Sequence, residues 1–251
     1  MSEQVNKAAQ MIQDSKRIVA FTGAGISTES GVPDFRSAGG FFDRLSGTHY
    51  TGEEALSVPF FEQYPELFFE NYRNTLDFPD AKPNCGHHFF QLLEAEGKRV
   101  SIVTQNIDNL HEAAGSSTVF SLHGNATEWK SVNTNKLVAK EEVHWDEKGI
   151  AVDSKGNVVR PDIVLYGDQL NQQVLSGAIK AIQKADLLMV IGTSLNVMPA
   201  AYLIDDFRGD YSILINQTDV DRMDRFDVVV KEKSGQFLQK VWRTLTQEEN
   251  R

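Results

Sequence analysis

Seven short, almost uninterrupted apolar runs limit what this chain can fold into: Ile18–Thr22, Val100–Thr104, Val119–Leu122, Ile163–Tyr166, Leu187–Ile191, Tyr211–Ile215 and Phe226–Val230. They are rich in β-branched residues and lack polar alternation, the pattern of strands buried on both faces. Between them lie polar-apolar stretches of helical spacing at Glu3–Ser15, Asn84–Glu96, Gln172–Lys184 and Gly235–Leu245. Strands alternating with helices predict an α/β fold, a Rossmann-like, doubly wound, mainly parallel sheet. Two regions break the alternation. Residues 31–76, rich in Phe, Gly, Pro and Tyr, read as a lid module of loop and short helices over one edge of the core. Residues 125–161, with Trp129, Trp145 and several turn signals, read as a small inserted β-rich subdomain. The expected division is therefore one Rossmann-like domain from 1–124 and 162–251, interrupted by the insert.

Composition removes several function classes. Among 251 residues, 35 acidic side chains outweigh 25 basic ones, a formal charge of -10. No broad cationic surface is available to track phosphates, so direct nucleic-acid binding is not expected. No apolar run approaches the roughly 18 residues of a membrane span, and the opening residues carry no apolar signal core, so the chain reads as cytoplasmic with no membrane partner. The single cysteine, Cys85, excludes an intrachain disulfide framework and any multi-cysteine metal site.

The first strand runs into Gly23-Ala24-Gly25-Ile26-Ser27. Glycines there let backbone N–H groups approach a pyrophosphate at a helix N-terminus, but a tight strand-to-helix turn without a ligand fits two glycines equally well. The stretch continues Thr28-Glu29-Ser30-Gly31-Val32-Pro33-Asp34-Phe35-Arg36. After it come Thr104-Gln105-Asn106-Ile107-Asp108-Asn109-Leu110-His111, Leu122-His123-Gly124, Arg160-Pro161-Asp162-Ile163-Val164, Gly192-Thr193-Ser194-Leu195 with Val197, Pro199, Ala200 and Ala201, and Asn216. The first string resembles the NAD signature of the sirtuin family. The later motifs follow in that family's order over nearly the whole chain.

The resemblance implies an NAD-dependent protein-lysine deacylase of the deacetylase type, with NAD as cofactor and an acyl-lysine protein or peptide as substrate. The products would be nicotinamide, O-acyl-ADP-ribose and free lysine. The resemblance makes His123 the general base, a role its ordinary pKa near neutrality suits, and Asn106 the residue that orients the ribose and a water. It puts Gly23 and Ala24 at the cofactor, Gln105 against the ribose, and Asp108 on the nicotinamide carboxamide. Asp34 and Ile26 fall near the nicotinamide pocket, Phe35 over the reacting ribose carbon, and Arg36 near the ribose and phosphates. Gly192, Thr193 and Ser194 fall at the phosphates, Asn216 at the adenosine ribose, and Glu232 with Lys233 near the adenine. Ile163, Val164, Leu165, Tyr166 and Gly167 would take the substrate, an extended peptide adding as a strand. Tyr166 and Asp168 stand where the family usually has Phe and Glu. Plain alternatives remain: a helix N-cap for Asn106 and Asp108, turn chemistry for Ser194 and Asn216, and a structural role for His111. His87 and His88 diverge on a helix and do not share a metal.

One departure is large. Sirtuins usually carry two Cys-x-x-Cys pairs, a four-thiolate zinc site, in the small domain. Here those positions fall about at Ser131, Thr134, Val152 and Lys155, so no metal is expected. An apolar cluster of Trp129, Val132, Leu137, Val138, Trp145, Ile150, Val152 and Val158 should hold the insert instead. Two rivals stay open: a mono-ADP-ribosyltransferase or NAD hydrolase, and a non-catalytic NAD or ADP-ribose sensor.

Overall fold

The computed structural model describes residues 3–47 and 49–248. In chain order its elements are α1 (Glu3–Asp14), β1 (Arg17–Thr22), α2 (Phe41–Leu45), α3 (Gly52–Ala55), α4 (Val58–Gln63), α5 (Pro65–Asn71), α6 (Cys85–Ala95), β2 (Arg99–Thr104), α7 (Leu110–Ala113) and β3 (Val119–Ser121). Then come β4 (Gly124–Ser131), β5 (Leu137–Val138), β6 (His144–Trp145), β7 (Ala151–Val152), β8 (Val159–Ile163), α8 (Gln172–Lys184), β9 (Leu187–Ile191), β10 (Tyr211–Ile215), β11 (Val228–Val230) and α9 (Ser234–Glu248).

Six strands form the main sheet in the order β11-β10-β9-β1-β2-β3, every pair parallel. Counted within that sheet, this is the doubly wound order in which the chain reverses direction beside β1, and ligand crevices open at such a reversal. Alternation along each strand sends Ile18, Ala20 and Ile102 toward α1, α6 and α9, whose Val5, Phe89, Phe90 and Phe237 cover them. Val19, Phe21, Val103 and Val190 face the other way, onto Ala178 and Ile182 of α8. Asn84 caps α6 by accepting from the Gly86 N–H at 2.7 Å, and Asn171 caps α8, so local chemistry as well as apolar pattern sets these helices.

The run Ile163–Tyr166 is not a strand of this sheet. β8 ends at Ile163 and pairs antiparallel with β4 in a separate three-stranded sheet, β5-β4-β8. Beyond Ile163, Tyr166 makes an isolated bridge to Ser57. A short apolar run cannot by itself tell a strand from the apolar wall of a cavity, and this one becomes the wall.

The glycine turn after β1 also departs from expectation. Two single 3-10 turns, Ala24–Ile26 and Thr28–Ser30, follow it in place of a longer helix. Residues 31–76 contain α2 to α5 and a π-helical turn, Tyr72–Leu76.

The insert's expected apolar cluster does not form as a unit. Val132 is 44% exposed and Leu137, on the edge strand β5, 66%. The buried apolar residues of the insert, Ala126, Trp129, Ala151 and Val159, join Phe61, Phe68, Phe69 and Tyr72 of the lid in one cluster. A segment this short encloses too little volume to bury its own aromatic residues.

Candidate active site

The reversal beside β1 brings two glycine turns into contact. Gly23 N–H donates to the Ile191 carbonyl at 2.9 Å, and Gly25 N–H to the Gly192 carbonyl at 2.8 Å. A Cβ on Gly23 would lie 2.7 Å from the Gly192 oxygen, and one on Gly25 2.6 Å from the Gly192 Cα. Gly192 has φ +61, left-handed backbone that side chains rarely adopt. The crossing requires glycine at all three positions, and it leaves a cavity of about 600 Å³ at the carboxyl ends of the strands.

Of the residues singled out from sequence, the cavity wall contains Gly23, Ala24, Asp34, Phe35, Arg36, Gln105, Asn106, His123, Ile163, Val164, Leu165, Tyr166, Gly167, Gly192, Thr193, Ser194, Asn216, Glu232 and Lys233. Ile26 and Asp108 do not line it. Ile26 is fully buried among Phe89, Phe90 and Ile191, filling the sheet core. Asp108 sits behind the wall, in a network that reaches far into the protein.

That network can be read atom by atom. Asn84 N–H donates to His87 Nδ1 at 3.2 Å, so the neutral ring carries its proton on Nε2, 3.3 Å from the Ser27 hydroxyl. Ser27 Oγ also accepts from Asn106 Nδ2 at 3.1 Å and donates to Asp108 Oδ2 at 2.6 Å. The other oxygen, Asp108 Oδ1, accepts from the Leu110 N–H at 3.0 Å, a turn contact just ahead of α7, whose N-cap is Asn109 and not Asp108. Burial raises the Asp108 pKa, while the Ser27 and Leu110 hydrogen bonds pull it back. His87 and His111 stack edge to face at 4.8 Å. Burial lowers His87 to about 4, the neighbouring His88 adding to it, and holds His111 well below its ordinary value. His111 is thus a core group, bonded through Nε2 to Thr22.

His123 stands apart from that pair. Its Nδ1 lies 2.9 Å from the Gln105 carbonyl oxygen, which can only accept, so Nδ1 carries the proton and Nε2 is left as an acceptor. Burial lowers its pKa, opposed by the Gln105 hydrogen bond. The ring is therefore neutral near pH 7 and able to take a proton. Gln105 in turn donates through Nε2 to Thr193 Oγ1 at 3.0 Å, tying the ends of β2 and β9 together.

Asp34 spends its carboxylate on its own loop, accepting from the Arg36 and Ser37 N–H groups and the Ser37 hydroxyl. Despite partial burial, those bonds hold its pKa below the usual carboxylate range. Phe35 packs between Phe41 and Phe42, and Arg36 lies over the Phe42 ring and 3.7 Å from Glu53.

On the far wall, Val164 N–H donates to the His123 carbonyl, Tyr166 N–H to Leu56, and Val58 N–H to the Tyr166 carbonyl. The Tyr166 N–H and carbonyl are thus both engaged with the 56–58 segment, which fixes this wall to the lid. Arg160 holds the end of this wall through Asp168, which also accepts from Leu165 N–H at 3.0 Å.

Sequence reasoning overlooked Ser234. Its side chain is 5% exposed, lines the cavity beside Glu232 and Lys233 at the start of α9, and has an Oγ with no protein partner. The overlooked signal was a serine where an apolar-periodic helix begins. Ser27 and His87 were missed because their contact spans sixty residues of chain.

Around the positions aligned with zinc thiolates, Val132 N–H bonds the Val158 carbonyl, and Val152 pairs with Val158. They do not fit zinc. Ser131 Oγ accepts from Thr134 N–H, Val152 has no donor atom, and Lys155 is cationic beside an Asp153 turn that binds the Lys155 and Asn157 N–H groups. Among the described residues no cluster of three or more His, Cys, Asp or Glu side chains could hold a metal.

Fold and cavity define a Rossmann-like α/β protein with its ligand site at the topological switch point. The Sir2 family profile matches residues 23–199. The chain belongs to the Sir2 family. It is 44% identical over 243 residues to an NAD-dependent protein deacetylase of Clostridium perfringens, spanning 96% of this chain and 99% of that protein. A second such deacetylase, from Clostridium acetobutylicum, is 41% identical over 95% of this chain and 98% of its own length. A solved Sir2–p53 peptide–NAD+ complex superposes with a TM-score of 0.83 at 31% identity, covering 97% of this chain and 98% of that one. A Sir2 homolog–NAD complex gives the same TM-score and identity over 97% and 94%.

Proposed function

We propose that the protein is an NAD-dependent protein-lysine deacylase of the deacetylase type, yielding nicotinamide, O-acyl-ADP-ribose and free lysine. The carrying observation is His123: a neutral ring whose acceptor nitrogen, fixed by the Gln105 carbonyl, belongs to the same cavity as the glycine turns and the Ile163–Gly167 wall. The site fits NAD, since the glycine crossing is a cradle that any Cβ would fill and Ser234 Oγ lacks a partner. Bound NAD would supply an electrophilic ribose carbon carrying nicotinamide as leaving group.

In this reading Gly23, Ala24, Gly192, Thr193 and Ser194 hold the pyrophosphate with main-chain N–H groups and hydroxyls. Asn216, Glu232, Lys233 and Ser234 hold the adenosine end. Arg36 neutralises phosphate charge and Phe35 excludes water from the reacting carbon. Gln105 and Asn106 orient the ribose, and Asp108, held by Ser27 behind Asn106, would serve the nicotinamide carboxamide. His123 Nε2 takes a proton from a ribose hydroxyl after nicotinamide has left. Val164, Leu165, Tyr166 and Gly167, entered from Ile163, flank the acyl-lysine stem. Asp34 shapes the Arg36 loop at the nicotinamide end of the cavity.

We assign 1–124 and 162–251 to the NAD-binding domain, 31–76 to its lid and 125–161 to the insert. Among the described residues no helix is long and apolar enough to cross a membrane. We place the protein in the cytoplasm with no nucleic-acid partner, consistent with its charge of -10. Mass spectrometry of a panel of acyl-lysine peptides incubated with NAD tests the reading. Deacylated peptide with equimolar nicotinamide supports it. ADP-ribosylated protein, or nicotinamide release indifferent to acyl peptide, would favour transfer or hydrolysis, and no release at all would favour a sensor.

A further inference from the structure

The insert is held by the lid. The Tyr72 and Trp129 rings stand 5.4 Å apart, and Trp145 lies 5.8 Å from both Trp129 and Phe69. Tyr72 Oη donates to the Ala126 carbonyl at 2.9 Å. At the open end of this stack Arg73 makes two contacts at once. Its guanidinium lies 4.6 Å from the centre of the Trp145 ring, and its Nη1 donates to the Gly149 carbonyl at 2.8 Å. Gly149, at φ +76, makes room for it, since a Cβ there would lie 3.1 Å from Arg73 Nη2.

The insert also runs straight into the cavity. β8 leads without a break to Ile163, and the following wall hangs from His123 on one side and from Leu56 and Val58 of the lid on the other. Its shape therefore depends on the angle between insert and lid. The part of the opposite wall built by Gly23, Gly192 and Asn216 does not share this dependence, because each follows directly on a strand of the main sheet.

We infer that Arg73 is a positioning residue: with Trp145 and Gly149 it clamps the insert to the lid, does the work a metal cannot do here, and sets the acyl-peptide side of the cavity while leaving the glycine turns and Asn216 on the main sheet in place. The inference rests on the deacylase reading. One cation–ring contact and one hydrogen bond, each modest at an exposed site, set the scale of the effect.

Steady-state kinetics with an acetyl-lysine peptide and hydrogen exchange of the whole protein test it together. Arg73→Gln and Trp145→Ala should each raise the KM for peptide about 3- to 10-fold, with the KM for NAD and kcat within about twofold of wild type. The double variant should be little worse than either single one, since both break one clamp. Trp145→Phe, which keeps a ring under the guanidinium, should restore most of the loss. Exchange should quicken in residues 137–152 and 163–168 of Arg73→Gln and stay unchanged in β1 and β9. An unchanged peptide KM, or a KM for NAD that rises in step with it, overturns the inference, as does unchanged exchange in those segments. Exchange needs no turnover, so a wild-type protein that fails to deacylate would sink the functional reading while the clamp is still judged.

Discussion

The buried histidine pair makes the stability of this protein depend on pH in a calculable way. His87 accepts from Asn84 N–H at Nδ1, so protonating it there would set an N–H against an N–H and break the link to Asn84. Burial holds its folded pKa at about 4 against an ordinary 6.5. A folded value below the unfolded one means that stability is complete above about 6.5 and drains as pH falls toward 4. At 1.36 kcal/mol per unit, the full shift corresponds to about 3 kcal/mol, and the fall from pH 6.5 to pH 5 removes about 2 kcal/mol. His111, lowered in the same direction, adds to the slope. Carboxylates titrate in the same window, so the comparison must be with His87→Gln, whose amide can still donate to Ser27 but cannot titrate. Urea unfolding followed at pH 7.5 and pH 5 should show wild type losing about 2 kcal/mol more than the variant. Equal losses in the two proteins would mean that His87 binds protons alike in both states, and the tautomer argument for Ser27 and Asp108 would fall with it.

Three further outcomes follow from the site. His123→Ala should cut deacylation at least about 10²- to 10⁴-fold while leaving NAD affinity and thermal stability near wild type, since its ring acts as a positioned base; calorimetric titration with NAD checks the second half. Asp108→Asn should weaken nicotinamide inhibition more than ADP-ribose binding, because its carboxylate lies with Ser27 and Asn106, away from Ser194 and Asn216; equal losses would reduce it to a turn contact ahead of α7. Elemental analysis should find no stoichiometric zinc, and a chelator should leave activity intact, because Ser131, Thr134, Val152 and Lys155 offer no ligand set.

What the sequence disclosed and what it hid divide along a physical line. The main sheet was legible because strands such as Leu187–Ile191 are buried on both faces, which leaves a continuous apolar signature in the chain itself. The glycine turns and the order of motifs were legible because close backbone approach permits only glycine at Gly23, Gly25 and Gly192. Ile163–Tyr166 carries the same signature, yet its hydrogen bonds go to His123, Leu56 and Val58, and nothing in a run of apolar residues names its partners. The insert was misjudged for the same reason. Apolar content showed that Trp129 and Trp145 must be covered by something, and a self-contained cluster was the local solution. A segment of that length has too little interior for two indoles, so the cover came from Tyr72 and Phe69, more than fifty residues earlier in the chain. The contacts that hold the insert therefore lie on the surface it shares with the lid, and the insert's stability is a property of that surface.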